Sequence, residues 1–142
     1  MNLIKKFASD IYVDLSVFTI FLVYILKYFN KEIFIQNIGL ILSLFFVALW
    51  VLARINLGAA FTVRPEATRL VTTGLYSKIK HPIYLFSTLS YLSLLLIYHS
   101  KFLYFIGGLI VAIQIYRALI ENKKLKEAFS VEYNKYEQKT LI

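Results

Sequence analysis

A chain of 142 residues corresponds to about one domain, and this one is 59% hydrophobic and 17% aromatic while carrying 16 Lys and Arg against 8 Asp and Glu. A soluble domain so small has too much surface for its volume to bury that much apolar side chain, so the composition excludes an ordinary water-soluble domain and points to lipid. The lack of cysteine excludes a disulfide framework, thiolate metal sites, a cysteine nucleophile and haem attached through Cys.

The first apolar block runs from about Ile11 to Phe29. Lys5 and Lys6 precede it as in a secretory signal, but Asp10 and Asp14 intervene and no small-residue cleavage pattern follows, so it reads as a retained span. Beyond the polar turn Asn30-Lys31-Glu32 lies a second block, Ile35 to Ala53. The loop Arg54 to His81 comes next. Its length, its aromatic residues and Pro65, Gly74 and Pro82 favour an ordered loop packed at the membrane face.

A third block, Ile83 to Tyr98, and a fourth, Phe102 to Ile120, are joined by His99-Ser100-Lys101. A helix of ~19 residues at ~1.5 Å rise matches a ~30 Å hydrocarbon core. The third block is a little short, and spans if its Tyr ends lie at the interface. Gly107, Gly108 and Ala112 in the fourth read as close-packing positions. From 121 to 138 the pattern is that of an amphipathic helix, with Leu125, Phe129, Tyr133 and Tyr136 on one face. It would lie at the interface or fold back as a lid.

The expectation is therefore all-α: an integral membrane bundle of four transmembrane helices, with an ordered cytoplasmic loop and a C-terminal amphipathic helix. Residues 1–142 form a single domain without repeats or linkers. With four spans, only Lys27, Lys31 and Lys101 fall on the far side, and the other thirteen basic residues share the side of both termini. Basic residues collect on cytoplasmic loops, which makes that side cytoplasmic. The charge of +8 is thus assigned to topology and anionic lipid, not to nucleic acid.

Familiar chemical signatures are missing. No dinucleotide fingerprint or phosphate loop occurs, the two histidines, His81 and His99, fall on opposite sides so no metal site is expected, and the Ser residues follow no nucleophile-elbow pattern. None of the four blocks holds an acid at mid-membrane depth, as proton-coupled transport requires. Polar groups instead concentrate at the cytoplasmic end of the second hairpin: Tyr76, then Lys80-His81-Pro82-Ile83-Tyr84, then Arg117 and Glu121. A tight hairpin makes the start of the third block a neighbour of the end of the fourth, so that His81, Tyr84, Arg117 and Glu121 line one pocket.

The stretch Leu70 to Tyr84, with Gly74-Leu75-Tyr76 and Lys80-His81-Pro82-Ile83-Tyr84, resembles the Gly-x-Tyr…Arg-His-Pro-x-Tyr signature of the isoprenylcysteine carboxyl methyltransferase family, itself similar to the phospholipid N-methyltransferases. Arg117-Ala118-Leu119-Ile120-Glu121-Asn122, then Leu125, Phe129, Glu132-Tyr133 and Tyr136, resembles the family's tail. Asn122 and Ser130 stand where that family has Glu and Gly, and Lys80 where it has Arg. The resemblance implies S-adenosylmethionine as methyl donor, held on the cytoplasmic side, and a lipid-bearing acceptor entering from the bilayer. It implies cofactor-binding roles for Tyr76, Lys80, His81, Pro82, Tyr84 and Glu121, and catalytic roles for Arg117 and His81. The favoured reaction is transfer to the carboxylate of an isoprenylcysteine-like lipid. Alternatives are a phospholipid amine N-methyltransferase, an NADPH-dependent sterol reductase with a similar C-terminal hairpin, and a non-enzymatic lipid-binding scaffold.

The residue types fit that chemistry. A carboxylate such as Glu121 accepts from the donor's ammonium or ribose hydroxyls, Lys80 or His81 meets its carboxylate, and Tyr76 and Tyr84 offer ring faces to adenine or cation. Arg117 aligns a carboxylate acceptor at two points, and an amine acceptor would call on His81 or a Tyr as base. Two plainer readings compete: Arg117 and Glu121 as a helix-surface ion pair, and Pro82 as a helix start with His81 ahead of it.

Overall fold

The computed structural model describes residues 16, 18–20, 22–24, 26–30, 32–58, 70–98 and 100–141, and every regular element among them is helical. The described residues from 16 to 26 are helical. Lys5, Lys6, Asp10, Asp14, Lys31, Pro65 and His99 lie outside the described residues, as does much of the expected first span.

Helix α1, Phe34–Leu57, covers the second block. It stops at Gly58, whose φ of 54° is open to a residue without Cβ and whose N–H bonds the Arg54 carbonyl. A single 3-10 turn, Gly74–Ser77, follows in the loop, and Gly74 again has positive φ (60°). Helix α2, Pro82–Leu94, begins with Pro82 at its first turn, where the missing N–H has no helical partner to lose. Helix α3 is Lys101–Glu137, 37 residues, with one non-helical residue inside it, Ser130 (φ 18°, ψ −85°).

Two helices, α1 and α3, are long and apolar enough to cross a membrane. Only 11% of the most apolar window of α3 is buried within the protein, which fits a lipid-facing helix and not the core of a soluble one. Ile113, Tyr116 and Leu119 stand outward along it, as do Ile41, Phe45 and Ile55 along α1. The four-span expectation is corrected in two places. The third block forms a helix of 13 residues, about 20 Å long against a ~30 Å core, because the chain turns at Leu95–Ile97 and not at Tyr98. The expected separate tail helix is a continuation of the fourth block: Arg117 to Phe129 contains good helix formers and neither Gly nor Pro, so nothing stops the helix before Ser130.

Small side chains seat α2 against α1. A Cβ on Gly39 would lie 2.8 Å from the Ser93 carbonyl oxygen, and Ser43 and Ser90, both buried, bring their hydroxyls to 3.1 Å. Beside them Trp50, Ala53, Ile83 and Phe86 form the core of the pair. Leu94, Leu95, Ile97 and Leu103 knot the turn between α2 and α3. Gly107 packs closely, with a Cβ there only 3.0 Å from Leu95, whereas Gly108 faces open space and Ala112 is exposed, correcting the reading of all three as close contacts. The amphipathic face of the tail turns toward the loop: Leu125, Tyr133 and Tyr136 are buried with Leu70 and Phe129 packed on them.

Candidate active site

The loop delivers His81 to the N-terminus of α2 and α3 brings Glu121 and Asn122 opposite it. His81 occupies the N-cap position, yet its ring caps nothing. It reaches across to α3, where Nε2 lies 2.8 Å from Asn122 Oδ1 and Nδ1 lies 3.9 Å from Glu121 Oε2. The Tyr133 hydroxyl donates to the same Asn122 oxygen. One amide oxygen thus receives two donors and fixes the imidazole with Nε2 protonated, leaving Nδ1 toward the carboxylate.

One turn into α2, Tyr84 stacks beside His81 with ring centroids 5.7 Å apart, and the Arg117 guanidinium lies 5.2 Å from the Tyr84 ring centre. The Tyr84 hydroxyl faces both Glu121 and Arg117. Arg117 and Glu121 therefore act through Tyr84 and are more than an isolated pair on the helix surface. From the 3-10 turn, Tyr76 is buried, and its phenol is held well above the ordinary range, first by burial and next by the Glu121 carboxylate. Tyr136 fixes that turn by donating to the Tyr76 carbonyl at 2.8 Å. Burial likewise pushes Tyr133 up to about 12, with Glu137 and Glu121 adding to it, so it remains a neutral donor.

Of the residues singled out by sequence, His81, Tyr84, Arg117 and Glu121 meet at one place, with Tyr76 beside Glu121. Pro82 is buried at the start of α2. Lys80 points elsewhere: its ammonium is 3.3 Å from Glu137 Oε1, and Lys126 holds the other oxygen of that carboxylate at 3.0 Å. These contacts, with Leu141 N–H on the Lys78 carbonyl at 2.9 Å, strap the tail across the loop.

Below the charged cluster an open cleft, with about 60 Å³ of enclosed space, runs between α1, α2 and α3. Trp50, Ile83 and Tyr91 supply apolar wall, and Tyr84, Ser87, Ser90, Gln114 and Arg117 a polar edge. Sequence reasoning passed over Asn122 as a mere departure from the family pattern, and over Tyr133, Ser87 and Gln114. Gln114 had a usable signal, as a polar residue inside an apolar block.

A carboxylate and a histidine at the mouth, an arginine held over an aromatic ring, and an apolar cleft beneath suit a charged water-borne ligand meeting an amphiphile. The family model for phospholipid methyltransferase matches residues 33–132, well over half of the chain and all of this site except Tyr133 and the residues after it. The chain belongs to the phospholipid methyltransferase family. It is a membrane methyltransferase by that membership, and its family generally uses S-adenosylmethionine. Comparison with curated proteins and with solved structures returned no match.

Proposed function

We propose that this phospholipid methyltransferase family member transfers a methyl group from S-adenosylmethionine to the carboxylate of an isoprenylcysteine-like lipid. In this reading the whole chain, 1–142, acts as one domain, and the site and both termini face the cytoplasm. The observation that supports it best is the convergence of His81, Tyr84, Arg117 and Glu121 at the head of an apolar cleft.

The residues fit the donor's chemistry. Glu121 is a part-buried carboxylate set to accept from an ammonium or ribose hydroxyl. Tyr84 and Tyr76 bring aromatic faces beside it, suited to a cation or an adenine, while Pro82 fixes the approach of the loop and His81 answers a carboxylate. When bound, the donor supplies an electrophilic methyl whose bond to sulfur breaks as the acceptor's bond to carbon forms. A carboxylate acceptor gives up no proton, so Arg117 has to orient and not to deprotonate, and alignment carries the rate. The family match favours a second reading, a phospholipid amine as acceptor. There a proton must leave, and His81 or a tyrosine of the site is called on as base.

Alkali separates the two. Detergent-purified protein given methyl-labelled donor and a membrane lipid extract is expected to yield a lipid that releases its label as methanol in base. Label that survives base identifies an N-methyl product and replaces the carboxylate reading; no labelled lipid overturns both.

A further inference from the structure

Gln114 lines the cleft from α3, one helical turn before Arg117 and on the apolar side of it. Its amide is fixed by a relay: Nε2 donates to Ser87 Oγ at 3.0 Å, and Ser87 donates onward to the Tyr84 carbonyl at 3.2 Å. With Ser87 satisfied in both directions, the amide is held in one orientation. Its Oε1 is fully buried and accepts no hydrogen bond among the described residues. A buried acceptor without a donor is costly, and this one belongs to a residue that lines an open cleft. Polar groups at such depth in a membrane protein mark ligand paths.

We infer that Gln114 is a specificity-determining residue whose Oε1 accepts a hydrogen bond from an N–H on the lipid side of the acceptor's anionic group. Arg117 marks the level of the anion and Gln114 lies deeper, so the order along the substrate from water to hydrocarbon is anion, N–H donor, chain. A lipid whose carboxylate sits next to an amide N–H meets that order. A phospholipid bearing an ethanolamine head does not, since its ammonium stands on the water side of its phosphate. The inference rests on the proposed carboxylate acceptor and assigns to Gln114 the recognition of the N–H beside that carboxylate.

The test compares two probes on the full chain reconstituted in lipid nanodiscs: N-acetyl-S-farnesylcysteine and S-farnesyl-3-mercaptopropionate, which keeps the carboxylate and chain but lacks the amide. Binding of each is measured by competition against a fluorescent farnesyl carboxylate, and methyl transfer is measured separately. The wild-type chain is expected to bind the amide probe about tenfold more tightly, and Gln114→Met to bring the ratio near one while leaving S-adenosylmethionine affinity unchanged. A wild-type ratio near one overturns the inference without any variant, as does a ratio that survives Gln114→Met. A tenfold ratio without methylation of either probe upholds the role of Gln114 and removes the carboxylate reaction.

Discussion

Replacing Asn122 by Leu removes one oxygen and strands two donors, His81 Nε2–H and the Tyr133 hydroxyl. An unpaired buried donor costs about 1–3 kcal/mol. Tyr133 is 0% exposed and cannot recover water, so its share lies in the upper half of that range. The His81 side chain is 14% exposed and regains some solvent, so its share lies in the lower half. The variant should lose about 3–5 kcal/mol together. Tyr133→Phe alone leaves Asn122 still paired with His81 and should cost only about 1 kcal/mol. Introduced on top of Asn122→Leu, however, it removes a stranded hydroxyl and should recover stability. The two substitutions are therefore expected to couple by about 3 kcal/mol. Equilibrium unfolding of the four proteins in mixed micelles, followed by the fluorescence of the single tryptophan, Trp50, measures the cycle. Additivity within about 0.5 kcal/mol would refute the shared-acceptor network.

Glu121→Gln should weaken S-adenosylmethionine binding at least about tenfold, or ~1.4 kcal/mol, with little change in thermal stability; calorimetry showing equal affinity removes Glu121 from the site. Arg117→Lys keeps the charge but loses the planar fork, so turnover should fall more than donor affinity, and a matched fall in both contradicts an orienting role. The Glu137 carboxyl is held below the ordinary glutamate range chiefly by Lys126, with Lys80 assisting. A depressed folded value means that its contribution is present above the ordinary glutamate range and lost as pH falls through the folded value. Protection factors for the amides from Tyr133 to Leu141, taken relative to intrinsic exchange at each pH, should accordingly fall on acidification, by no more than about fivefold for so exposed a pair, and Glu137→Gln should flatten that response. An unchanged pH response in Glu137→Gln would show that another group loosens the tail.

Long-range hydrophobic pattern was the most readable part of the chain. The second and fourth blocks became α1 and α3 because a continuous apolar run with no breaker has few other structures open to it. The proline in Lys80-His81-Pro82 marked the start of α2 for a reason local to its ring. Where α2 ends was not legible, since the knot of Leu94, Leu95, Ile97 and Leu103 is a tertiary contact that no local residue announces. The same limit applies at the site. His81, Tyr84, Arg117 and Glu121 were readable as neighbours from hairpin topology, whereas the bond from His81 to Asn122 depends on which way a ring turns. Lys80 was assigned to the site by motif, but its partner Glu137 lies 57 residues away and only folding brings them together. The face of Leu125, Tyr133 and Tyr136 was visible as periodicity, though not that Leu70 would cover it.

Because α3 is unbroken from Lys101 to Ser130, Gln114, Arg117, Glu121 and Asn122 are pegs on one rigid shaft. Deleting a single amino acid between Arg117 and Glu121 would swing everything beyond it by about 100°. The glutamate would then turn away from the histidine while the glutamine stayed where it was. Evolution can therefore vary what each peg is made of far more easily than the spacing between them.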